Sequence, residues 1–461
     1  MNSNPWVTKY SGPNPAADPR RMRRIIAEDP EWSLATVPRL VHLCIAHIVR
    51  NFAVRPLLTE LPAQHKASVL AQLPCSLPLQ VTANLVSDDG YWRRCCLQCW
   101  QVCDPSLHGG SWKRMFFERL LKKVVEFFVP DTTEPRVVLD LIPLCRDSVN
   151  RLEIDQLLPP VRQAGDRPEE EGSDTGSESE GLTTDHFDFN LLLNDLPLLE
   201  ELAVTYGVKD CGMNFQWNVF QFTAQDCSSL GKAIHDCPAL RVLRLPRNRI
   251  DDQRLRVLVR YLMNHPALVE LDLSHNLIGD VGAKALAKLL LHSGLQTLCL
   301  CDNSIAAFGA KAIAYKVRRF SSLRCLNLRL NQIGDEGGEA IARALATSSV
   351  EDINLASNEL SERVATAISK VLMRNQTLRG INLSCNNIGP EGGKQLLEGI
   401  SMNKTILECD LRLTQIGQES EYAIGQILNS NREQVRDATC HPAKASRVIP
   451  QGVSDHFNTS D

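Results

Sequence analysis

An α/β solenoid, with a parallel sheet on its inner face and helices on its outer face, preceded by an all-helical domain, is the fold class that this chain of 461 residues predicts. Three observations carry the prediction. The first is a pattern, L-x-x-L-x-L-x-x-N-x-I. Its clearest copy is LVELDLSHNLIG, with Leu268, Leu271, Leu273, Asn276 and Ile278 in the fixed places. The second is its period: the frame recurs at Leu240, Leu295, Leu323, Val350, Leu378 and Ile406, always 27 or 28 residues apart. That period marks a leucine-rich-repeat solenoid. The third is a break in composition at Gly165 to Asp185, an acidic stretch rich in Ser and Gly that separates the repeats from an earlier, helically patterned region.

Residues 1–19 are polar and rich in Pro and Asn, which predicts disorder. Residues 20–162 read as a helical domain. It opens with Arg20, Arg21, Arg23 and Arg24, which suit either a solvated helix end or an acidic surface, and then places Leu40, Leu43, Cys44, His47 and Ile48 at helical spacing. Further helices are predicted over 66–73, 76–86, 91–103, 111–128, 134–146 and 147–158. Trp112, Phe116, Phe117, Leu120, Leu121, Val124, Phe127 and Phe128 form an apolar stripe, read as core. The linker, 163–186, cannot bury enough apolar surface to offset its ordering entropy. A solvated tether is the simplest reading of its serines among acids.

Residues 187–239 read as a degenerate first repeat (Leu199, Leu202, Val204) and a cap, interrupted by an insert carrying Phe215, Trp217, Phe220 and Phe222. Terminal repeats are atypical because they close an open core. Seven repeats span 240–433, and 434–461 is expected to be a disordered tail. Within a repeat, the two leucines of L-x-L alternate as in a strand. The asparagines Asn248, Asn276, Asn303, Asn331, Asn358 and Asn386 follow at a fixed place, where an amide can satisfy backbone groups as the chain leaves the strand; they are expected to stack as a ladder. The second half of each repeat is helical, and Asp280, Asp335 and Glu391 suit helix N-termini. The last repeat departs from the pattern, with Cys409 for a leucine and Thr414 for the asparagine, as expected of a cap.

The variable strand positions define an inner face that suits a protein partner. Its candidate contact residues are Arg241, Arg244, Arg247, Asp272, His275, Asn327, Arg329, Asn354, Asn382, Asp410 and Arg412, mixed in sign with a basic end at Arg241, Arg244 and Arg247. The net charge of −4 and the lack of an aromatic and basic track argue against nucleic acid. No stretch reaches the length of a membrane span, and the N-terminus does not read as a secretory signal. The 16 cysteines, Cys299, Cys301, Cys325 and Cys409 among them, are therefore expected to be reduced, and the tripeptides at Asn375, Asn382, Asn403 and Asn458 unglycosylated. Phosphate-binding, zinc-protease and nucleophile-elbow motifs are absent, so no enzyme and no cofactor are expected. Cys95, Cys96, Cys99, Cys103 and His108 resemble a metal set, but without a second C-x-x-C buried thiols outweigh zinc.

Several strings are more specific than the repeats. RRMRRIIAEDPEWSLA at 20–35, GGSWKRMFFERLL at 109–121, VKDCGMNFQWNVFQFT at 208–223 and INLSCNNIGPEGGKQLLEGISMNKT at 381–405 closely resemble the t-complex-associated testis-expressed protein 1 family, the leucine-rich-repeat subunit 5 of the nexin–dynein regulatory complex. The resemblance runs from about residue 20 to 433. It implies a non-enzymatic scaffold in the axoneme of motile cilia and sperm flagella, within the cytoplasmic cytoskeleton. There it would help restrain dynein-driven sliding between doublet microtubules. Implied partners are other subunits of the complex, both coiled-coil and leucine-rich-repeat proteins, with doublet microtubules reached indirectly. The repeats by themselves resemble the ribonuclease-inhibitor class. They leave two alternatives open: a regulator that activates a GTPase, and a stand-alone inhibitor like ribonuclease inhibitor.

Overall fold

The computed structural model describes residues 39–160, 186–209, 222–320 and 322–440. The expectations for Arg20, Arg21, Arg23 and Arg24, for the linker before His186, for Phe215, Trp217 and Phe220, and for the tail beyond Cys440 lie outside the described residues. The chain divides into two compact units, 1–117 and 118–461.

The first unit holds α1 (Leu40–Asn51), α2 (Ala63–Gln72), α3 (Leu79–Thr82), α4 (Asp89–Cys99) and the start of α5 (Trp112–Glu126). Trp92 is its fully buried centre. The ring packs 5.1 Å from both Phe116 and Phe117, and its Nε1 donates to Val86 O at 2.8 Å. A buried indole N–H needs such a partner. Asp88 caps α4 by accepting from Tyr91 N at 2.8 Å. Leu73 lies between α2 and Pro74, where proline bars helix continuation. Three expectations change here. The helix expected over 76–86 is the single turn of α3, the one over 91–103 stops at Cys99, and in α1 Ile45 is the buried residue while Leu40 and Leu43 are exposed.

The second unit continues α5 and adds α6 (Arg136–Leu139) and α7 (Ile142–Cys145) before the sheet begins. Among the described residues the sheet has nine parallel strands in chain order: β1 (Arg151–Ile154), β2 (Glu201–Val204), β3 (Val242–Arg244), β4 (Glu270–Asp272), β5 (Thr297–Cys299), β6 (Cys325–Asn327), β7 (Asp352–Asn354), β8 (Gly380–Asn382) and β9 (Glu408–Asp410). Eight helices follow β2 to β9 in turn: α8 (Ala224–His235), α9 (Asp252–Leu262), α10 (Asp280–Leu289), α11 (Ala307–Phe320), α12 (Gly334–Leu345), α13 (Glu362–Leu372), α14 (Gly389–Ser401) and α15 (Gln418–Cys440). A helix is about 10 Å wide and strands lie about 4.8 Å apart, so the sheet takes the inner, concave side. From β3 to β8, one aliphatic residue per strand points into the core: Leu243, Leu271, Leu298, Leu326, Ile353 and Ile381. Burial stabilises each by roughly 1.5–3 kcal/mol.

Three expectations are corrected in this unit. The segment 147–158 is not helical: Leu152 and Ile154 alternate with half-exposed Arg151 and exposed Glu153, and the segment forms β1 beside β2. The linker's last residue, His186, is buried and ordered. Its backbone N–H and its Nδ1 meet the two oxygens of Asp226, each at 2.9 Å, and Asp226 also closes a capping box with Thr223 at the start of α8. Residues 434–440 are the last turns of α15 rather than tail. Phe222 is buried with its ring 4.5 Å from that of Tyr206.

β1 would expose unpaired backbone on its outer edge, and α5 closes it. In each later strand, one carbonyl accepts two successive N–H groups of the next strand; Glu200 O, for example, accepts from Arg241 and Val242. At β1 the Glu118 carboxylate takes that role, with Oε1 accepting from Asn150 N at 2.9 Å and Arg151 N at 2.8 Å. Two turns on, Glu126 Oε1 accepts from Asp155 N at 2.9 Å. Burial alone would raise the Asp155 carboxyl, but Lys122 at 2.6 Å and Lys209 at 2.8 Å hold it below the usual carboxylate range.

Candidate functional site

The asparagines after each strand are buried and hydrogen-bonded between repeats. Asn276 Nδ2 donates to Leu245 O, Leu273 O and Ser274 O, and its Oδ1 accepts from Asn248 N and Ile250 N. Asn386 repeats the arrangement, and Asn303 and Asn331 make the same three donations but accept only from Ile278 N and Ile305 N, while Asn248 Nδ2 donates to Val204 O and Asn358 Nδ2 to Leu328 O and Ala356 O. Just before each asparagine stands a residue with φ between +54° and +58°: Arg247, His275, Asp302, Leu330, Ser357 and Cys385, with Leu413 before Thr414. None of them is glycine, and the left-handed conformation costs each about 1–2 kcal/mol. Through Cys385, the N–H of each donates to the next strand, which offsets that cost.

A second ladder, which sequence reasoning missed, runs along the helix ends. Asn375, Asn403 and Asn431 are buried, and the side chains of Asn403 and Asn431 donate to the backbone carbonyls of Asn375 and Asn403, each at 2.8–3.1 Å. The signal was present in the N-x-T tripeptides: Asn375 Oδ1 accepts from Thr377 N, and Asn403 Oδ1 from Thr405 N. His265 holds the same place further up, its Nε2 donating to Cys237 O at 3.1 Å. Burial pushes its pKa down, so the ring stays neutral. A third set uses the helix acids. Asp252, Asp280 and Asp335 each reach the following repeat, accepting from Gly279 N, Ala306 N and Ser361 N.

These ladders hold the concave face, whose residues form two columns flanking the core column, half-buried from β3 to β6 and more varied from β7 to β9. A cleft of about 380 Å³ runs along it, lined by Cys299, Asn327, Asp352, Asn354, Asn382 and Glu408 among others. The basic end expected at Arg241, Arg244 and Arg247 is not a free cationic patch. Arg244 is locked between Glu270 at 2.8 Å and Glu201 at 3.3 Å. Burial alone would lower its pKa, but the two carboxylates outweigh that and keep it charged. Arg241 and Arg247 are exposed, Arg247 at the turn beyond the strand. Asp272, Asn327, Asn354, Asn382 and Asp410 fall in one column, and each spends an oxygen on a backbone N–H two residues ahead. Their identity is thus partly a turn requirement. The amide Nδ2 atoms of Asn327, Asn354 and Asn382 have no partner among the described residues.

At the rim, His275 pairs with Asp302 at 2.7 Å, and Arg412 forks onto Asp410 at 2.6 Å, which lowers the Asp410 pKa; Arg329 is exposed. Burial pushes the Cys299 thiol up to about 12 and raises those of Cys301 and Cys325, so the face carries neutral thiols with little nucleophilicity; Cys409, in the core column, is likewise pushed up to about 12. In α4, Cys95 and Cys96 are buried, Cys99 is exposed, and burial pushes the Cys95 thiol to about 12. Among the described residues no three His, Cys, Asp or Glu side chains are grouped to hold a metal ion, and no helix is long and apolar enough to cross a membrane.

A family model described as leucine-rich repeat matches residues 264–287, 321–342 and 374–397. Mouse dynein regulatory complex subunit 5 is 57 % identical over 271 residues, 58 % of this chain and 54 % of the mouse protein. The crab-eating macaque (Macaca fascicularis) protein of the same name is 52 % identical over 321 residues, 69 % of this chain and 64 % of that protein. Pig ribonuclease inhibitor is 28 % identical over 212 residues, 44 % of this chain and 46 % of the inhibitor. The chain thus spans between half and two thirds of the length of the subunit 5 relatives. The inhibitor match could lie wholly within the roughly 290 residues from Arg151 to Cys440, whereas the 321-residue match is longer than that span. The similarity to subunit 5 therefore reaches beyond the strands and helices of the repeats, and the chain belongs to the dynein regulatory complex subunit 5 family.

Proposed function

We propose that this chain is a non-enzymatic scaffold subunit of the axonemal dynein regulatory complex, acting where doublet microtubules are linked and dynein-driven sliding is restrained. The observation that carries the reading is the extent of the similarity to relatives named dynein regulatory complex subunit 5, which exceeds what the repeats alone can contribute. Its physical counterpart is the concave face: a long, rigid, polar surface with neutral thiols and uncommitted amide donors, suited to holding another protein. On this reading the partners are other subunits of the complex, microtubules are reached through them, and the location is the axoneme of motile cilia and flagella.

The contact is best probed away from Arg244, because reversing its charge would set three acids together and confound binding with folding. Asp352 is exposed and Asn354 lines the cleft beside it. Asp352→Arg with Asn354→Arg fills the cleft with bulk and positive charge. Expected is the loss of at least one other subunit when the complex is isolated from axonemes, with the circular dichroism of the purified chain unchanged. Recovery of every subunit in normal amounts would refute the concave-face reading.

A further inference from the structure

The last strand presents the opposite situation to the first. Along the sheet each strand holds the next through a recurring set of backbone groups. The N–H groups of Leu245, Leu273, Leu300, Leu328, Leu355 and Leu383 donate to the following strand, and so do those of the left-handed residues from Arg247 to Cys385. In return, one carbonyl per strand, from Arg241 to Arg379, accepts two N–H groups of the following strand. The next members of these series are Leu411 N–H, Leu413 N–H and Leu407 C=O, on and beside β9. Among the described residues all three lack partners.

Two further features lie at this edge. A groove of about 430 Å³ opens between β9 and α15, with Cys409, Leu411, Ile424, Gly425 and Leu428 on its walls. It is deepened because Cys409 stands in a column otherwise filled by Leu and Ile. The exposed Glu408 has no ion-pair partner among the described residues. The sheet shows how such an acid is met elsewhere. Arg244, in the third position of β3, reaches back 3.3 Å to Glu201 in the first position of β2. Glu408 holds that first position in β9.

We propose that the β9 edge is a docking site for an extended segment of a partner protein, which adds as a tenth parallel strand. The unpaired groups are those that engage a parallel neighbour at every earlier strand, so they set direction and register. An aliphatic side chain of the segment lies beside Cys409 and covers the groove. An Arg or Lys two residues earlier or later would miss Glu408; one immediately after the aliphatic residue reaches back to it, as Arg244 does to Glu201.

The chain itself supplies a probe with this pattern: a fluorescein-labelled peptide of residues 239–251, ALRVLRLPRNRID, in which Leu243 precedes Arg244. Titrated with the full chain, it is expected to bind saturably and to slow hydrogen exchange at the Leu411 and Leu413 amides at least tenfold. Leu243→Asp in the peptide abolishes binding. Arg244→Glu in the peptide weakens it at least tenfold, and Glu408→Arg in the chain, at an exposed position, restores it. The proposal is overturned by the absence of saturable binding, or by binding that leaves those amides and the charge swap without effect. It is also overturned if the amides are already slow in the free chain and released by removing residues 441–461, or if they slow with chain concentration alone as a dimer forms in sedimentation. No other subunit takes part, so the result is independent of the concave-face reading.

Discussion

β1 and β9 are the outer strands of one parallel sheet and carry the same backbone liability, yet they are finished differently. At β1 the carboxylates of Glu118 and Glu126, one helix face apart, accept the N–H groups that a preceding repeat would have accepted. At β9 no described residue does the equivalent, and the core column ends in a cysteine. An exposed sheet edge is a template for pairing with another chain, and proteins usually cover or blunt one. The difference teaches that closing a solenoid requires hydrogen-bond acceptors at strand spacing as well as apolar cover. A helix supplies them when acids eight residues apart sit two turns along it.

The largest effect is expected at the closed end. Glu118→Ala would leave the N–H groups of Asn150 and Arg151 without their carboxylate in a buried setting, at a cost of about 2–4 kcal/mol. Glu118→Gln keeps an acceptor oxygen and should lose less than half as much. Urea unfolding of the full chain measures both, and hydrogen exchange at Asn150 and Arg151 locates the effect. Equal losses for the two variants would mean that the charge, not the acceptor geometry, closes the edge. At the open end, Asn431→Ala removes a side chain that donates to Asn403 O and Ile406 O. Carbonyls tolerate under-satisfaction better than N–H groups, so about 1–2 kcal/mol is expected. In a solenoid the loss should appear as faster exchange confined to α14, β9 and α15.

What the sequence discloses follows the same contrast. The repeat frame from Leu240 to Ile406 is legible because its leucines and asparagines face identical surroundings in each copy. β1 is not, because the neighbour that defines its edge is a glutamate more than thirty residues upstream, and Leu152 and Ile154 alone do not separate strand from helix. Two rungs of the second ladder, Asn375 and Asn403, are written as N-x-T, a tripeptide that also reads as a glycosylation signal; only their burial decides between the two. In the candidate site, the third strand column is read as lining the inner face, and Cys299, Asn327, Asn354, Asn382 and Asp410 of that column line one cleft. The turn duty of its Asp and Asn oxygens, and the locking of Arg244 by two carboxylates, depend on neighbours one repeat away. The basic end is therefore reduced to Arg241 and Arg247 once strands are paired.

A smaller, pH-dependent difference between the two halves should follow from the second ladder. Asn375, Asn403 and Asn431 do not titrate, whereas His265 stands at the same place near the other end. Burial lowers the folded-state pKa of His265 below its unfolded value, so the unfolded chain binds the extra proton more readily. Its contribution to stability is present above about pH 6.5 and is lost as the pH falls from there through the folded pKa. Between pH 7.5 and 5.5, protection from exchange, relative to the intrinsic rate at each pH, should fall around α8, β3 and α9 more than around α13 to α15. His265→Asn should flatten that difference, since an amide can keep the bond to Cys237 O. A pH response unchanged by this substitution would assign it to other groups.

The smallest expected effect is a gain. At two interior places an asparagine oxygen accepts two N–H groups of the preceding repeat: Asn276 from Asn248 and Ile250, and Asn386 from Asn358 and Leu360; Asn303 and Asn331 accept one each. The last place in that series is Thr414, buried, whose hydroxyl donates to Leu411 O. A hydroxyl engaged there offers no amide-like reach toward Asn386 N and Ile388 N. Thr414→Asn would extend the ladder by one rung and should stabilise the final repeat by about 0.5–1.5 kcal/mol, read as a rise in the urea midpoint at constant slope. It should also slow exchange at Asn386 and Ile388. Leu411 N–H and Leu413 N–H should remain fast, because they belong to the strand edge rather than to the turn. If the substitution slowed those two amides as well, the open edge would be a consequence of the missing asparagine. If it left them fast, the edge is open in its own right and not because the last asparagine is missing.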